Sequence, residues 1–170
     1  STLEDENVDI GVACDRAKYA CDTRRGSYVS GSCYFDIDMH RRVELIRHVI
    51  NHLDQAIAEG WVKVFYQPIV RAVNGRVCDE EALSRWIDPE RGLLSPAEFI
   101  PILEEANMIY KLDLYMVDQV VEKLCLLREQ GIPLVPQSVN LSRSDFNCCD
   151  IVQEICSRVD AANLSRSLIL

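Results

Sequence analysis

Three polar side chains at the ends of predicted strands could form a binding site. Glu81 and Gln67 lie in two neighbouring predicted strands, and Asn140 lies near the end of a later one. In α/β barrels the functional groups come from the carboxyl-terminal ends of different strands. A carboxylate and an amide oxygen that converge there form a hard, oxygen-rich site suited to Mg²⁺ or Mn²⁺. Arg85, four residues after Glu81, is suited to a phosphate group. The spacing alone is also compatible with ordinary polar residues at strand termini.

Three predicted strands carry these residues. The first two cover Val62–Val70 and Arg76–Trp86, with the turn signal Asn74-Gly75 between them. The third covers Leu134–Leu141. The first strand has apolar residues on both faces, which predicts a buried strand.

Predicted helices separate the strands. Ser95 is an N-cap candidate, with Pro96 at the first helical position and Glu98 three residues after the cap, and this helix runs to about Asn107. The remaining elements are helices over Leu112–Gln130 and Ser144–Val159 and a strand that begins at Leu168–Leu170. The order β, β, α, α, β, α, β predicts an α/β sheet whose neighbouring strands are largely parallel.

Two further helices are predicted before residue 61. The first covers Asp9–Cys21 and ends at the sequence RRG (residues 24–26), and the second covers Asp36–Gly60. Between them, Tyr28–Phe35 favours β structure and could form one weak strand or a hairpin.

The composition limits the function classes. The formal net charge is −9. A protein that binds a nucleic-acid polymer needs a basic face, so such a partner is not expected. A small anionic ligand needs only a few local cations or bound metal ions. No apolar run approaches the roughly 20 residues that span a bilayer, and the acidic amino terminus does not resemble a signal peptide. We therefore expect a cytoplasmic location, with a membrane segment possible elsewhere in a longer parent protein.

The chain contains eight cysteines and no C-x-x-C pair. A zinc ribbon is therefore not indicated. A disulfide framework would need a secretory context. We interpret the cysteines as reduced and mostly buried small apolar residues.

Six short motifs follow one another from about Trp61 to Leu170. They are YQPIV (66–70), EALSRW (81–86), DPERG (88–92), SPAEFIP (95–101), EE (104–105) and VNLS (139–142). In this order and at this spacing they resemble an EAL domain. The chain departs from the family pattern at Asp79 and Glu80, where a glycine and a small residue are common. These acids could strengthen metal attraction or raise the pKa of Glu81.

The resemblance implies a fold and an activity. The EAL fold is a modified TIM (β/α)8 barrel, an α/β architecture, with its first strand reversed. The family reaction is hydrolysis of cyclic di-GMP to linear pGpG with two divalent metal ions, Mg²⁺ or Mn²⁺. Carried over by position, Glu81 and Asn140 are catalytic metal ligands. Arg85 contacts a substrate phosphate, while Gln67 and Leu83 line the dinucleotide pocket.

The resemblance continues upstream with less specific motifs. Residues 1–38 resemble the carboxyl-terminal remnant of a GGDEF domain, residues 39–60 resemble the usual connector helix, and residues 61–170 resemble the amino-terminal half of an EAL domain. The resemblance also suggests a homodimer formed through the EAL or upstream domains.

A TIM barrel needs about 250 residues, or about 200 at the low end, and the EAL-like part supplies roughly half of that. The family's further metal ligands fall beyond residue 170. We therefore expect an incomplete barrel, and a chain that is inactive alone or active only as an assembly. Two alternatives to the enzyme stay open: a receptor that binds cyclic di-GMP without cleaving it, and a protein-interaction module that binds no nucleotide.

Overall fold

The structure, a computed structural model, describes residues 9–22 and 32–170. The chain divides into two compact units, with the boundary between His48 and Val49. The predicted helix end at residues 24–26 and the first half of the predicted strand Tyr28–Phe35 lie outside the described residues. Residues 32–36 form no regular element.

Both predicted amino-terminal helices are confirmed to within two residues. Helix α1 covers Ile10–Asp22 and helix α2 covers Ile37–Ala58. Asp36 Oδ1 accepts a hydrogen bond from the backbone N–H of Met39 at 2.8 Å, which satisfies one of the unpaired donors at the start of α2. Gly60, with φ at 67°, follows the last turn of α2 in a conformation that favours glycine.

The second unit contains one mixed sheet of four strands. They are β1 (Val62–Val70), β2 (Val77–Asp88), β3 (Gly92–Leu94) and β4 (Gln137–Val139). Strand β2 pairs antiparallel with β1 and β3 and parallel with β4. Ile169 forms an isolated parallel bridge with Gln137 at the same sheet, whereas Leu168 ends a short 3-10 helix (Arg166–Leu168), so of the strand predicted to begin at Leu168–Leu170 only this bridge is present. Two of the three strand pairs are therefore antiparallel, so the prediction of largely parallel neighbours was wrong, and β3 was not predicted from the sequence.

The described residues form an open sheet, as expected for part of a barrel whose first strand is reversed. Strand β1 is one edge, and β2 is its only partner. The prediction that β1 is buried was wrong, because only Val62 in it is fully buried. An edge strand with one uncovered face leaves apolar side chains such as Phe65 and Val70 more than half exposed.

Four helices accompany the sheet: α3 (Pro96–Glu105), α4 (Ile109–Glu129), α5 (Asp145–Cys148) and α6 (Ile151–Ala161). The predicted N-cap of α3 is confirmed, since the backbone N–H of Ser95 donates to Glu98 Oε2 at 2.8 Å within a capping box. The single helix predicted over Ser144–Val159 is instead two helices. Asp150 interrupts it as the N-cap of α6, accepting from the Gln153 N–H at 3.1 Å.

The core of this unit lies between one face of β2 and the helices. Ala82 and Trp86 are buried on this face, and the Trp86 ring packs edge-to-face on Phe99 of α3 at 5.7 Å. Because side chains alternate along a strand, Glu81, Leu83 and Arg85 point to the opposite face of β2. That face is uncovered in the open sheet.

The prediction that the cysteines are mostly buried was wrong. Each of the eight is exposed or only partly buried. Cys14 and Cys21 lie on α1, where Ala20 is the one fully buried residue. An apolar side chain is buried only where its element packs against another element, and α1 buries few residues.

Of the described helices, none is long and apolar enough to cross a membrane.

Candidate functional site

Glu81 and Asn140 meet on the uncovered face of the sheet. The parallel register pairs Glu81 with Ser138 and Ala82 with Val139, so Asn140 follows directly after the paired part of β4. Asn140 Nδ2 donates to Glu81 Oε1 at 2.9 Å. This orientation of the amide leaves Asn140 Oδ1 and Glu81 Oε2 available as two oxygen ligands.

Glu81 does not lie at a strand end, as the sequence had suggested. It is the fifth of twelve residues in β2, because β2 continues past β4 to Asp88 and pairs there with β3. What brings the two side chains together is the short length of β4. It ends at Val139, at the level of Ala82, while β2 runs on.

Gln67 lies next to Glu81 across the β1–β2 pair. The two residues are direct register partners in the antiparallel ladder, so their side chains are on the same face. Gln67 is exposed and lines the same open surface. Like Glu81, it does not line the cavity that contains Leu83, Arg85 and Asn140.

Leu83, Arg85 and Asn140 line one cavity of about 80 Å³. Arg85 Nη1 donates to the Ser84 carbonyl at 2.7 Å, and its guanidinium lies 5.9 Å from the centre of the Phe65 ring. Within the described part of the chain, Arg85 makes no salt bridge. Its positive charge is therefore available to an anionic ligand.

The donor chemistry of Glu81 and Asn140 fits a hard divalent cation, which prefers carboxylate and carbonyl oxygens. Two ligands are too few for a complete site. Across residues 9–22 and 32–170 there is no group of three His, Cys, Asp or Glu side chains that could hold a metal ion. The described residues thus offer two oxygen donors of the kind that such a site requires.

The two acids before Glu81 have separate partners. Asp79 Oδ2 accepts from Ser138 Oγ at 2.6 Å, which joins β2 to β4. Glu80 points to the opposite face and pairs with Lys123 Nζ of α4 at 2.6 Å. Partial burial alone would raise the pKa of Glu80, but hydrogen bonds from Lys123 and Gln137 outweigh it and lower that pKa. Glu80 therefore serves packing between sheet and helix.

One polar cluster was not found from the sequence. Ser142, two residues after Asn140, is hydrogen-bonded to Glu104, Asp113 and Asp145. The spacing of three residues from Ser142 to Asp145 permits a local contact, and the Ser142 N–H donates to Asp145 Oδ2 at 2.9 Å, but the N-cap of α5 is Ser144. No local pattern indicated Asp113, which is 29 residues away.

Comparison with known proteins gives one consistent family. The model described as EAL domain matches residues 50–170. The bifunctional diguanylate cyclase/cyclic di-GMP phosphodiesterase MucR of Pseudomonas aeruginosa is 28% identical over 148 residues, which cover 86% of this chain and 21% of that protein. The cyclic di-GMP phosphodiesterase PdeR of Escherichia coli is 34% identical over 110 residues, covering 65% of this chain and 16% of that protein.

Solved structures agree with the sequence comparisons. The PaMucR phosphodiesterase in complex with c-di-GMP superposes with a TM-score of 0.65 at 28% identity, covering 72% of this chain and 49% of that one. An EAL enzyme with bound cAMP and cyclic-di-GMP gives a TM-score of 0.64 at 27% identity, covering 78% of this chain and 36% of that one. The chain therefore spans about a fifth or less of the curated relatives' length and about half of the solved phosphodiesterase.

Proposed function

Because this chain belongs to the EAL domain family, we propose that it is part of a metal-dependent phosphodiesterase that hydrolyses cyclic di-GMP to linear pGpG. The observation that carries the proposal is the contact between Glu81 and Asn140. A carboxylate and an amide meet at 2.9 Å with one oxygen each left available. The chain's relatives named cyclic di-GMP phosphodiesterases support the same reaction.

In this proposal each side chain has a separate task. Glu81 and Asn140 bind the metal, Glu81 with an anionic oxygen and Asn140 with a neutral one. Arg85 has no acidic partner in the described residues, and it contacts a phosphate of the substrate. Leu83 shares its cavity, and Gln67 lies across the strand pair from Glu81. Both line the dinucleotide pocket.

The chemistry supplied by two bound divalent ions is activation of water and stabilisation of charge on the phosphate being attacked. The protein's part is to orient the cyclic dinucleotide. Arg85 fixes a phosphate, and the apolar Leu83 excludes water from one side of the pocket. Mg²⁺ and Mn²⁺ both suit oxygen ligands, and the proposal admits either.

The remaining ligands have to come from outside this chain, from a longer parent or a second copy. This follows from the two oxygen donors that the described site contains and from the 49% of the solved phosphodiesterase that the chain covers. We expect the 170 residues alone to be inactive.

The division of the chain into domains is also part of the proposal. The similarity to MucR extends over 148 residues and so continues upstream of the family match, which supports a GGDEF remnant over residues 1–38 and a connector over residues 39–60. Homodimer assembly and a cytoplasmic location stay predictions.

The decisive experiment uses the longest natural version of the protein, purified and incubated with cyclic di-GMP and Mg²⁺ or Mn²⁺. Chromatography follows the product, and Glu81→Ala is the matched variant. We expect linear pGpG from the wild type and at least a hundredfold less from Glu81→Ala, because losing a ligand disables the metal site. Chelation with EDTA should abolish the product.

Two other outcomes would replace the proposal. Tight binding of cyclic di-GMP without product would indicate a receptor. If the protein neither binds nor hydrolyses cyclic di-GMP with any divalent metal, only the fold assignment remains, and a protein-interaction module is favoured.

A further inference from the structure

Three helices each direct an acidic side chain at Ser142. Glu104 at the end of α3 accepts from Ser142 Oγ at 2.7 Å. Asp113 of α4 and Asp145 of α5 both accept from the Ser142 backbone N–H, at 3.1 and 2.9 Å. Ser142 is two residues after Asn140, so these contacts fix the segment that carries the proposed metal ligand.

Two of these acids are buried beside each other. Asp145 is fully buried and Asp113 is 7% exposed. They share a single backbone donor, and Asp145 Oδ1 has no hydrogen-bond partner within the described part of the chain. Two neighbouring buried carboxylates repel each other and lose their hydration, so a second negative charge there is strongly disfavoured.

The surroundings favour a proton on Asp113. Burial, the hydrogen bond with Asp145 and the nearby negative charges of Asp145 and Glu104 raise the pKa of Asp113 to about 8, against the opposing effect of the Ser142 N–H. Arg85 of β2 lines the same cavity as Asp113 and is the cation there. A neutral Asp113 can donate to Asp145, which provides the donor that the buried carboxylate otherwise lacks.

We propose that Asp113 and Asp145 form a carboxylic acid–carboxylate pair with one shared proton, and that this pair fixes Ser142 and thereby positions Asn140 for metal binding. Both are positioning residues, since within the described part of the chain they are hydrogen-bonded to Ser142 and not to Glu81 or Asn140. The positioning role rests on the proposed function, whereas the shared proton does not.

Loss of the shared proton is unfavourable for the fold. The folded state retains a proton on Asp113 between its ordinary pKa of 3.8 and about 8, while the unfolded chain has lost it. The pair's stabilisation is therefore complete below pH 3.8 and is lost as the pH rises to about 8. One such proton makes the folding equilibrium constant fall by up to about tenfold per pH unit in this window.

Urea unfolding between pH 5 and pH 8 tests the shared proton. Asp113→Asn keeps the shape and an N–H donor without a titrating group, so its stability should decline less with pH than that of the wild type. Glu129→Gln, an exposed acid on the same helix, should follow the wild type. Identical pH dependence in the wild type and Asp113→Asn would overturn the shared proton.

The Mn²⁺ concentration that gives half-maximal hydrolysis of cyclic di-GMP by the longest natural version of the protein tests the positioning role. We expect Asp113→Ala to raise it about tenfold, in the range seen when groups supporting a ligand are removed. Asp113→Asn should stay within about twofold of the wild type, because its amide can replace both hydrogen bonds. The KM for cyclic di-GMP at saturating Mn²⁺ should not change. Equal Mn²⁺ requirements in the two variants would overturn the role.

Two safeguards keep the test decisive. If Asp113→Ala does not fold, Glu104→Ala is the alternative variant, because it removes only the exposed contact to Ser142 Oγ. It should still raise the Mn²⁺ requirement about twofold to threefold. An unchanged Mn²⁺ requirement would overturn the positioning role. If the wild type neither hydrolyses cyclic di-GMP nor binds Mn²⁺ by calorimetry, the proposed function and the positioning role fail together. The urea experiment then decides the shared proton by itself.

Discussion

Arg85 combines two features that suit it to recognise a phosphate. Its guanidinium shares a cavity with Asn140, and it has no acidic partner among the described residues. The ring of Phe65 lies 5.9 Å from it, which limits its conformations without neutralising the charge. An arginine placed in this way can bind a phosphate with two parallel hydrogen bonds.

We predict that Arg85→Lys weakens cyclic di-GMP binding by about tenfold, because lysine keeps the charge but loses the bidentate geometry. Calorimetry in the presence of Ca²⁺, to limit turnover, would measure this. Arg91→Lys is the matched control, since Arg91 is exposed in the turn before β3 and only its backbone N–H is engaged, with Asp88. Equal losses in both variants would contradict a specific role for Arg85.

For individual residues, the sequence indicated which side chains form the candidate site but not which of them contact each other. The motif containing Glu81, Leu83 and Arg85 placed all three on alternate positions of one strand, and period-two geometry then puts them on one face. The hydrogen bond from Asn140 spans 59 residues. No local rule predicts it, and it depends on where β4 ends against β2.

The elements are connected by a second polar network, on the helix-covered face of the sheet. Lys123 of α4 pairs with Glu80 at 2.6 Å, lies over the ring of Tyr66 at 3.3 Å and donates to Gln137 Oε1 at 3.2 Å. Gln137 is fully buried and donates to Glu80 at 2.8 Å. One helix is thus attached to β1, β2 and β4 together.

We predict that Lys123→Ala destabilises the fold by roughly 1–3 kcal/mol, because it leaves the partly buried Glu80 carboxylate without its cation and the buried Gln137 amide oxygen without its donor. Lys111→Ala, whose partner Asp54 is largely exposed, should cost less than about 1 kcal/mol. Urea unfolding at pH 7 compares the two. A larger cost for Lys111→Ala would contradict the network.

The same pair predicts a pH effect of opposite sign to that of Asp113. Because the pKa of Glu80 is lowered in the folded protein, its pairing stabilises the fold above the ordinary pKa of 4.5 and is lost as the pH falls below it. The wild type should therefore lose more stability than Lys123→Ala on acidification from pH 6 to pH 3. If the stability of the wild type and of Lys123→Ala fell equally on acidification, the ion pair would contribute nothing to the stability of the fold.

Element positions were predictable where a local signal marks them. The cap at Ser95 and the helix end at Gly60 are specified by side chains or backbone conformations within a few residues. The break at Asp150 was missed because its capping bond competes with a continuous apolar pattern. The exposure of β1 was missed because edge position is a property of the sheet.

At the scale of the whole molecule, the open sheet and the incomplete proposed metal site both follow from one uncovered face of β2. The uncovered face of β2 carries Glu81, Leu83 and Arg85, and no further strand covers it among the described residues. The same face supplies two oxygen ligands where a divalent ion needs about six. Completion of the barrel and completion of the metal site are therefore expected to coincide.

We predict that the 170-residue chain binds Mn²⁺ weakly, with a Kd of roughly millimolar, and produces no pGpG. The longest natural version should bind Mn²⁺ more tightly and turn over cyclic di-GMP. Calorimetry and chromatography on the two proteins, at equal concentration, would compare them. Turnover by a monomeric 170-residue sample would contradict this prediction.

The sequence by itself missed the short strand β3 and the break before α6, but it determined the family, most of the other helices and strands and the residue types of the site. These depend on periodicity, caps and motifs, which act over a few residues at a time. The tertiary structure alone decided that Glu81 meets Asn140, that Glu80 points away to Lys123, and that Asp113 and Asp145 are buried together on Ser142. Burial and the sharing of one donor by distant acids depend on which helices and strands pack together, and packing involves residues far apart in the chain.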